Sequence, residues 1–200
     1  MLDRVPFLPA ASLGATEYVA EVTARSAEIE DFFWKLERRQ TFQEPGDASY
    51  RAFARGDWSE AVRIKDEGRD TLRQRFAEQG FVLRRIRVVE SPVTPYLQWE
   101  IQALRVRAEA GEEIRVLDAS VIRDREADRP MPEVIILGTK VLYEVLYDEA
   151  GLHSGGRRIA NRAVIDACRA EMAALWGKGE DITSYFAREI APLPPPPAQP

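Results

Sequence analysis

The side chains with most chemistry to offer begin with three arginines, Arg84, Arg85 and Arg87, threaded through the otherwise apolar run from Phe81 to Glu90. Alternation places Val82, Arg84, Ile86 and Val88 on one face of a strand and Phe81, Leu83, Arg85, Arg87 and Val89 on the other. Apolar residues on both faces imply a strand covered on both sides. Buried guanidinium groups then need carboxylate partners, with Glu37 and Glu100 among the candidates. Arg85, Arg87, Tyr96, Trp99 and Glu100 form a candidate ligand site at the carboxyl ends of parallel strands, where open α/β sheets usually bind ligands. The same residues also read as a structural ion network with aromatic packing.

A second candidate is Gly155-Gly156-Arg157-Arg158, ahead of the last long helix. Exposed backbone amides, a helix N-terminus and two guanidinium groups suit phosphate, and a surface loop with solvated arginines is the competing reading. Other chemistries fall away. Phosphohistidine transfer needs His and Lys two positions apart, supplied twice, whereas the single histidine, His153, precedes Ser154 and Gly155. There is no Gly-x-Ser-x-Gly elbow, no His/Cys metal set, no P-loop and no dinucleotide fingerprint. No catalytic residue, metal or cofactor is assigned. A carboxylate-only magnesium site stays open, since acids are plentiful.

These residues must be held by a framework that the pattern outlines. Residues 1–14 read as a flexible arm, 15–190 as a single domain and 191–200 as a Pro-rich tail without a fixed fold. Helical spacing starts at Thr16, and a second, stronger stretch over 26–41 reads as a helix capped by Ser26. Its Phe32, Phe33 and Trp34 carry more aromatic surface than one helix face buries alone, so they dock on the sheet or on a partner chain. Asp47 caps a short helix. Asp57 or Ser59 opens a longer one that can break at Gly68 and ends at Gly80 in a left-handed cap.

After the arginine-bearing strand, Thr94-Pro95 reads as N-cap and first helical residue, and Gly111 stops that helix. The strand over 113–117 follows, and a crossover of this length implies parallel pairing. A charged loop spans 118–131, and then Val134 to Leu137 and Lys140 to Tyr147 form a hairpin. A last long helix carries the stripe Val164, Ile165, Cys168, Met172, Leu175 and Trp176. The expected fold is α/β, with α+β as its alternative: a small mixed sheet with a β-α-β core, a helical N-terminal region and a C-terminal helix.

With 200 residues, 45% hydrophobic and 30% charged, the chain can bury one self-sufficient core. A net charge of −5 argues against a protein that coats nucleic acid, because such binding neutralises many phosphates. The single Cys168 fits a reducing cytoplasm. The first eleven residues lack the apolar core of a signal peptide, and no apolar run is long enough to span a membrane.

The order of pieces resembles a known family. Trp34-Lys35-Leu36-Glu37, Phe42, the Phe53 to Asp57 stretch, Arg84 to Glu90 with Pro92 and Tyr96, and Gly111-Glu112-Glu113-Ile114-Arg115 are similar to an actinobacterial family of unknown function. Its members are commonly encoded beside XRE-type helix-turn-helix regulators. Its element order also looks like half of a phospholipase-D-type domain without the catalytic pair, which is an analogy of fold alone.

The resemblance implies a non-catalytic accessory or sensor protein acting through a protein partner, such as a helix-turn-helix regulator. A homodimer is compatible with the same reading. The alternative is an enzyme or binder for a phosphorylated small molecule or nucleotide. An interaction protein should expose an apolar patch around Phe32, Phe33 and Trp34, whereas a small-molecule protein should show a concave pocket where Arg85, Arg87 and a carboxylate converge.

Overall fold

A computed structural model describes residues 1–198. Its centre is an eight-stranded mixed sheet: β1 (Ala11–Gly14), β2 (Phe32–Glu37), β3 (Val82–Val89), β4 (Glu113–Asp118), β5 (Val134–Leu137), β6 (Val141–Tyr147), β7 (His153–Ile159) and β8 (Glu180–Asp181). The spatial order is β1-β7-β6-β5-β2-β3-β4-β8. β2, β3 and β4 are parallel, with Lys35 beside Arg85 and Arg85 beside Ile114. All other pairings are antiparallel.

The arginine-bearing β3 is internal, between β2 and β4, so its two-sided apolar pattern reflects cover on both faces. On one face α6 (Arg162–Trp176) lays Ile165, Cys168, Met172 and Leu175 over Trp34, Leu36, Ile86 and Val88. The other face carries α1 (Ala15–Ser26) over the β6 and β7 side and α5 (Pro95–Ala110) over the β4 side. Between β2 and β3 lie α2 (Ala48–Ala54), α3 (Trp58–Glu67) and α4 (Arg69–Glu78), whose Tyr50, Phe53 and Ala61 pack with Tyr96 and Trp99 of α5. The chain closes with α7 (Ile182–Tyr185) and a π-helical turn, Phe186–Ile190.

Local signals explain several boundaries. Asp47 Oδ1 accepts from the amides of Ser49 and Tyr50, and Thr94 Oγ1 accepts from Leu97 ahead of Pro95. Gly111 ends α5 at φ 121°, and the long helix expected after Asp57 is split at Gly68.

Four expectations are corrected. The helix over 26–41 does not form: Ser26 Oγ donates to the Val22 carbonyl at the end of α1 instead of capping, and 32–37 is the central strand β2. The arm over 1–14 is packed, with a 3-10 turn over Leu2–Phe7 burying Leu2 and Val5 and β1 pairing with β7. Gly80 does not adopt a left-handed conformation, and Gln79 leaves α4 in extended geometry. Residues 155–158 are interior to β7 rather than a loop.

The Pro-rich tail returns along the body, where the Pro194 carbonyl accepts from Gln98 Nε2 at 2.8 Å; residues 199–200 lie outside the described residues.

Candidate functional site

β2 and β3 present Lys35, Glu37 and Arg85 to the face flanked by α1 and α5, where the sheet is left partly uncovered. A cavity of about 460 Å³ opens there, within the range of small-molecule pockets. Its floor is ionic: Glu37 pairs with Lys35 at 2.5 Å and with Arg85 at 2.6 Å. Arg85 also reaches Glu112 at 2.7 Å, and Glu112 is shared with Arg107.

Burial alone would raise the Glu37 carboxyl, but Arg85, Lys35 and Arg87 outweigh it and hold the group well below the usual carboxylate range. Glu100 goes the other way. Burial lifts it to about 6 against the pull of Arg87, and the neighbouring Glu37 adds to the rise.

The walls are aromatic. Tyr96 and Trp99 come from the first turns of α5, Phe42 from the segment after β2, Tyr147 from the end of β6, Tyr18 from α1 and His153 from the start of β7. Phe42 and Tyr147 lie with ring centroids 4.7 Å apart, and Tyr18 and His153 at 4.8 Å. Two buried polar atoms of this wall, Tyr18 Oη and His153 Nε2, find no hydrogen-bond partner among the described residues. Such atoms are uncommon in native interiors because each costs about 1–3 kcal/mol unless something binds it.

His153 is depressed by burial and keeps a bond to the Gly155 backbone, so the ring is neutral at pH 7 with Nε2 as its open nitrogen. Burial raises the Tyr18 phenol, which therefore stays a donor.

Of the residues expected at a ligand site, Arg85, Tyr96, Trp99 and Glu100 line this cavity. Arg87 does not. It is fully buried beneath the cavity, bonded to Glu100 at 2.7 Å and to the carbonyls of Glu37, Val88 and Arg39.

The phosphate cradle expected at Gly155, Gly156, Arg157 and Arg158 has no such geometry. A Cβ on Gly155 would stand 2.2 Å from the Leu13 carbonyl, and one on Gly156 2.5 Å from the Tyr18 ring. The glycines thus admit β1 and α1 against β7. Arg157 bonds Glu144 and the carbonyls of Pro6 and Leu8, and Arg158 bonds Glu21.

The aromatic triplet is also absorbed. Phe33 and Trp34 are buried on opposite faces of β2, and half-buried Phe32 lies under the Arg84 guanidinium at 3.8 Å.

Lys35, Tyr18, Tyr147 and His153 were not singled out from sequence. Lys35 lies in the stretch whose spacing predicts a helix, and His153 enters the sequence reading only as a catalytic histidine. The one available signal was the alternation Phe33, Lys35, Glu37 beside that of β3.

The structure thus defines a mixed α/β domain with an aromatic-walled, ion-floored cavity on one sheet face. A family described as a domain of unknown function (DUF6879) matches residues 20–187, and the chain belongs to it. No curated protein matches the chain.

Among solved structures, Nuc of Salmonella typhimurium, a phospholipase D family member, is similar at TM-score 0.45 and 13% identity, over 86% of this chain and 97% of that one. TrmBL2, an archaeal chromatin protein whose structure shows a novel mode of DNA binding, is similar at TM-score 0.41 and 13% identity, over 89% of this chain. The chain spans 57% of the length of TrmBL2.

Among the described residues, no helix is long and apolar enough to cross a membrane, and no cluster of His, Cys, Asp or Glu is placed to hold a metal ion.

Proposed function

We propose that this protein is a non-catalytic sensor whose cavity between α1 and α5 takes a small, flat, uncharged molecule carrying a hydrogen-bond donor and an acceptor on one edge. The observation that carries this reading is the pair of unsatisfied atoms in an aromatic wall: Tyr18 Oη offers a proton and His153 Nε2 accepts one. Charge supports it, since the lining cations Lys35, Lys65, Arg85 and Arg107 are matched by Glu37, Glu44, Asp47 and Glu100. The floor guanidinium groups are already engaged, so a phosphorylated ligand would have to break existing ion pairs.

α1 is the natural reporting element. Tyr18 is its only buried side chain and Val19 lines the same cavity, so a ligand bonded to Tyr18 would fix the helix and cover Val19. For a protein partner, the family resemblance suggests a helix-turn-helix regulator in the cytoplasm of an actinobacterium.

Calorimetric titration with hypoxanthine, whose lactam edge has the required donor and acceptor, against adenosine monophosphate tests the reading. Binding of hypoxanthine, weakened about tenfold by Tyr18→Phe, is expected. Preferential binding of the nucleotide would overturn it in favour of a phosphorylated ligand.

A further inference from the structure

A second cleft lies where the chain reverses its direction of travel across the sheet. From β2 the parallel strands β3 and β4 lie on one side and the antiparallel β5, β6 and β7 on the other. Outside the carboxyl end of β2, residues 38–41 and residues 130–133 leading into β5 line a cleft of about 520 Å³. Crevices at such switch points are where open sheets hold ligands.

Most polar groups there are already satisfied. Arg38 is bonded to Glu90 and Glu126, Glu144 to Arg157, and Gln40 to the backbone of Arg38, Val88 and Glu90. Two groups are not. The half-buried Arg39 guanidinium lies over the Tyr147 ring at 5.3 Å, with no carboxylate or carbonyl partner among the described residues. Glu133, only 5% exposed, accepts the amides of Arg38 and Arg39 with Oε1 at 2.7 and 2.6 Å, while its buried Oε2 has no hydrogen-bond partner among the described residues.

We infer that this cleft binds the carboxylate of a small organic acid, one oxygen on the Arg39 guanidinium and the other on Glu133 Oε2–H, with Tyr147 as the apolar wall. Arg39 is a fork of donors suited to a carboxylate. Glu133 supplies a second donor only as the neutral acid, and its surroundings favour that form. Burial lifts it to about 7; Arg87 of β3 opposes the rise, Glu37 of β2 adds to it, and the two backbone amides oppose it.

The other charged groups nearby are committed elsewhere: Glu100 of α5 to Arg87, Lys35 to Glu37, and Arg38 to Glu90 and Glu126. Tyr147 of β6, raised by burial and by Glu133, stays protonated. The site is separate from the cavity proposed above, although Val145 and Tyr147 line both.

The probe is benzoate, with benzamide and inorganic phosphate as controls, followed by calorimetry or saturation-transfer NMR between pH 5.5 and 8.5. Benzoate should bind, Arg39→Met should abolish binding, and affinity should fall about tenfold per pH unit above about 7, as one proton is taken up with the ligand. Glu133→Gln, which keeps a donor, should still bind benzoate but without that pH dependence. Equal binding of phosphate, binding that survives Arg39→Met, no benzoate binding by the folded wild type, or an affinity flat with pH in the wild type would each overturn the proposal. Should Glu133→Gln fail to fold, Arg39→Met and the wild-type pH profile still decide.

Discussion

At the residue scale, the buried ions dominate. Arg87 is wholly enclosed, and among the described residues its hydrogen bonds go to Glu100 and to the carbonyls of Glu37, Arg39 and Val88. Removing one member of such a pair strands the other charge in a medium that solvates it poorly. Arg87→Met is therefore expected to lower unfolding free energy by about 3–5 kcal/mol in urea titrations, and adding Glu100→Gln should recover a large part of that loss.

Glu133 makes a prediction with a definite sign. Its folded value near 7 lies above the ordinary 4.5, so between those pH values the unfolded chain has released a proton that the native chain retains. Stability is thereby lost as pH rises from about 4.5 to 7, by roughly 3 kcal/mol, and stays lost above. Glu133→Gln removes this term. Its stability relative to wild type should rise across that window in urea unfolding; an unchanged gap between pH 4.5 and 8 would refute the assignment.

The ion network was legible in sequence because charges inside an apolar strand demand partners, which pointed to Glu37 and Glu100. Tyr18 and His153 were not, because an unsatisfied atom shows itself only once the neighbours are in place.

Among the elements, β2 and β7 carry the lesson. Ile29, Phe32, Phe33 and Leu36 fit helical spacing, yet 32–37 also alternates, and its aromatic content suits a strand packed on both faces. What decides is context: β2 is covered by α6 on one side and by α1 and the cavity on the other, so both of its faces must be apolar or paired. In the same way, Gly155-Gly156 looks like a loop but is a strand segment thinned to let β1 and α1 approach. Gly155 sits at φ 135°, where side chains are strained.

Gly156→Ala should cost about 2 kcal/mol in thermal melts, because a methyl there overlaps the Tyr18 ring and the Glu144 carbonyl, and should also weaken any ligand held by Tyr18. Gly155→Ala should cost more, since it adds backbone strain to a clash with the Leu13 carbonyl. The β3-α5-β4 unit and the β5-β6 hairpin were readable because Thr94-Pro95, Gly111 and Gly138 punctuate them clearly.

For the whole molecule, the arrangement separates two jobs. The α6 face is a continuous apolar core, while the opposite face divides its cover between α1 and α5 and leaves an aromatic-walled gap over charged strands. The mixed α/β character and the parallel centre followed from the sequence. The gap did not, since it depends on how far apart two helices distant in the chain come to rest.

The most direct test exploits the fact that the chain has a single histidine. With ¹⁵N-labelled histidine, the Nε2 resonance of His153 reports both the protonation of the ring and its hydrogen bonding. The expected result is a ring that protonates below the usual histidine range and a saturable Nε2 shift on adding hypoxanthine, moved to about tenfold higher hypoxanthine in Tyr18→Phe. A histidine that titrates at its ordinary value and is indifferent to saturating hypoxanthine would contradict it.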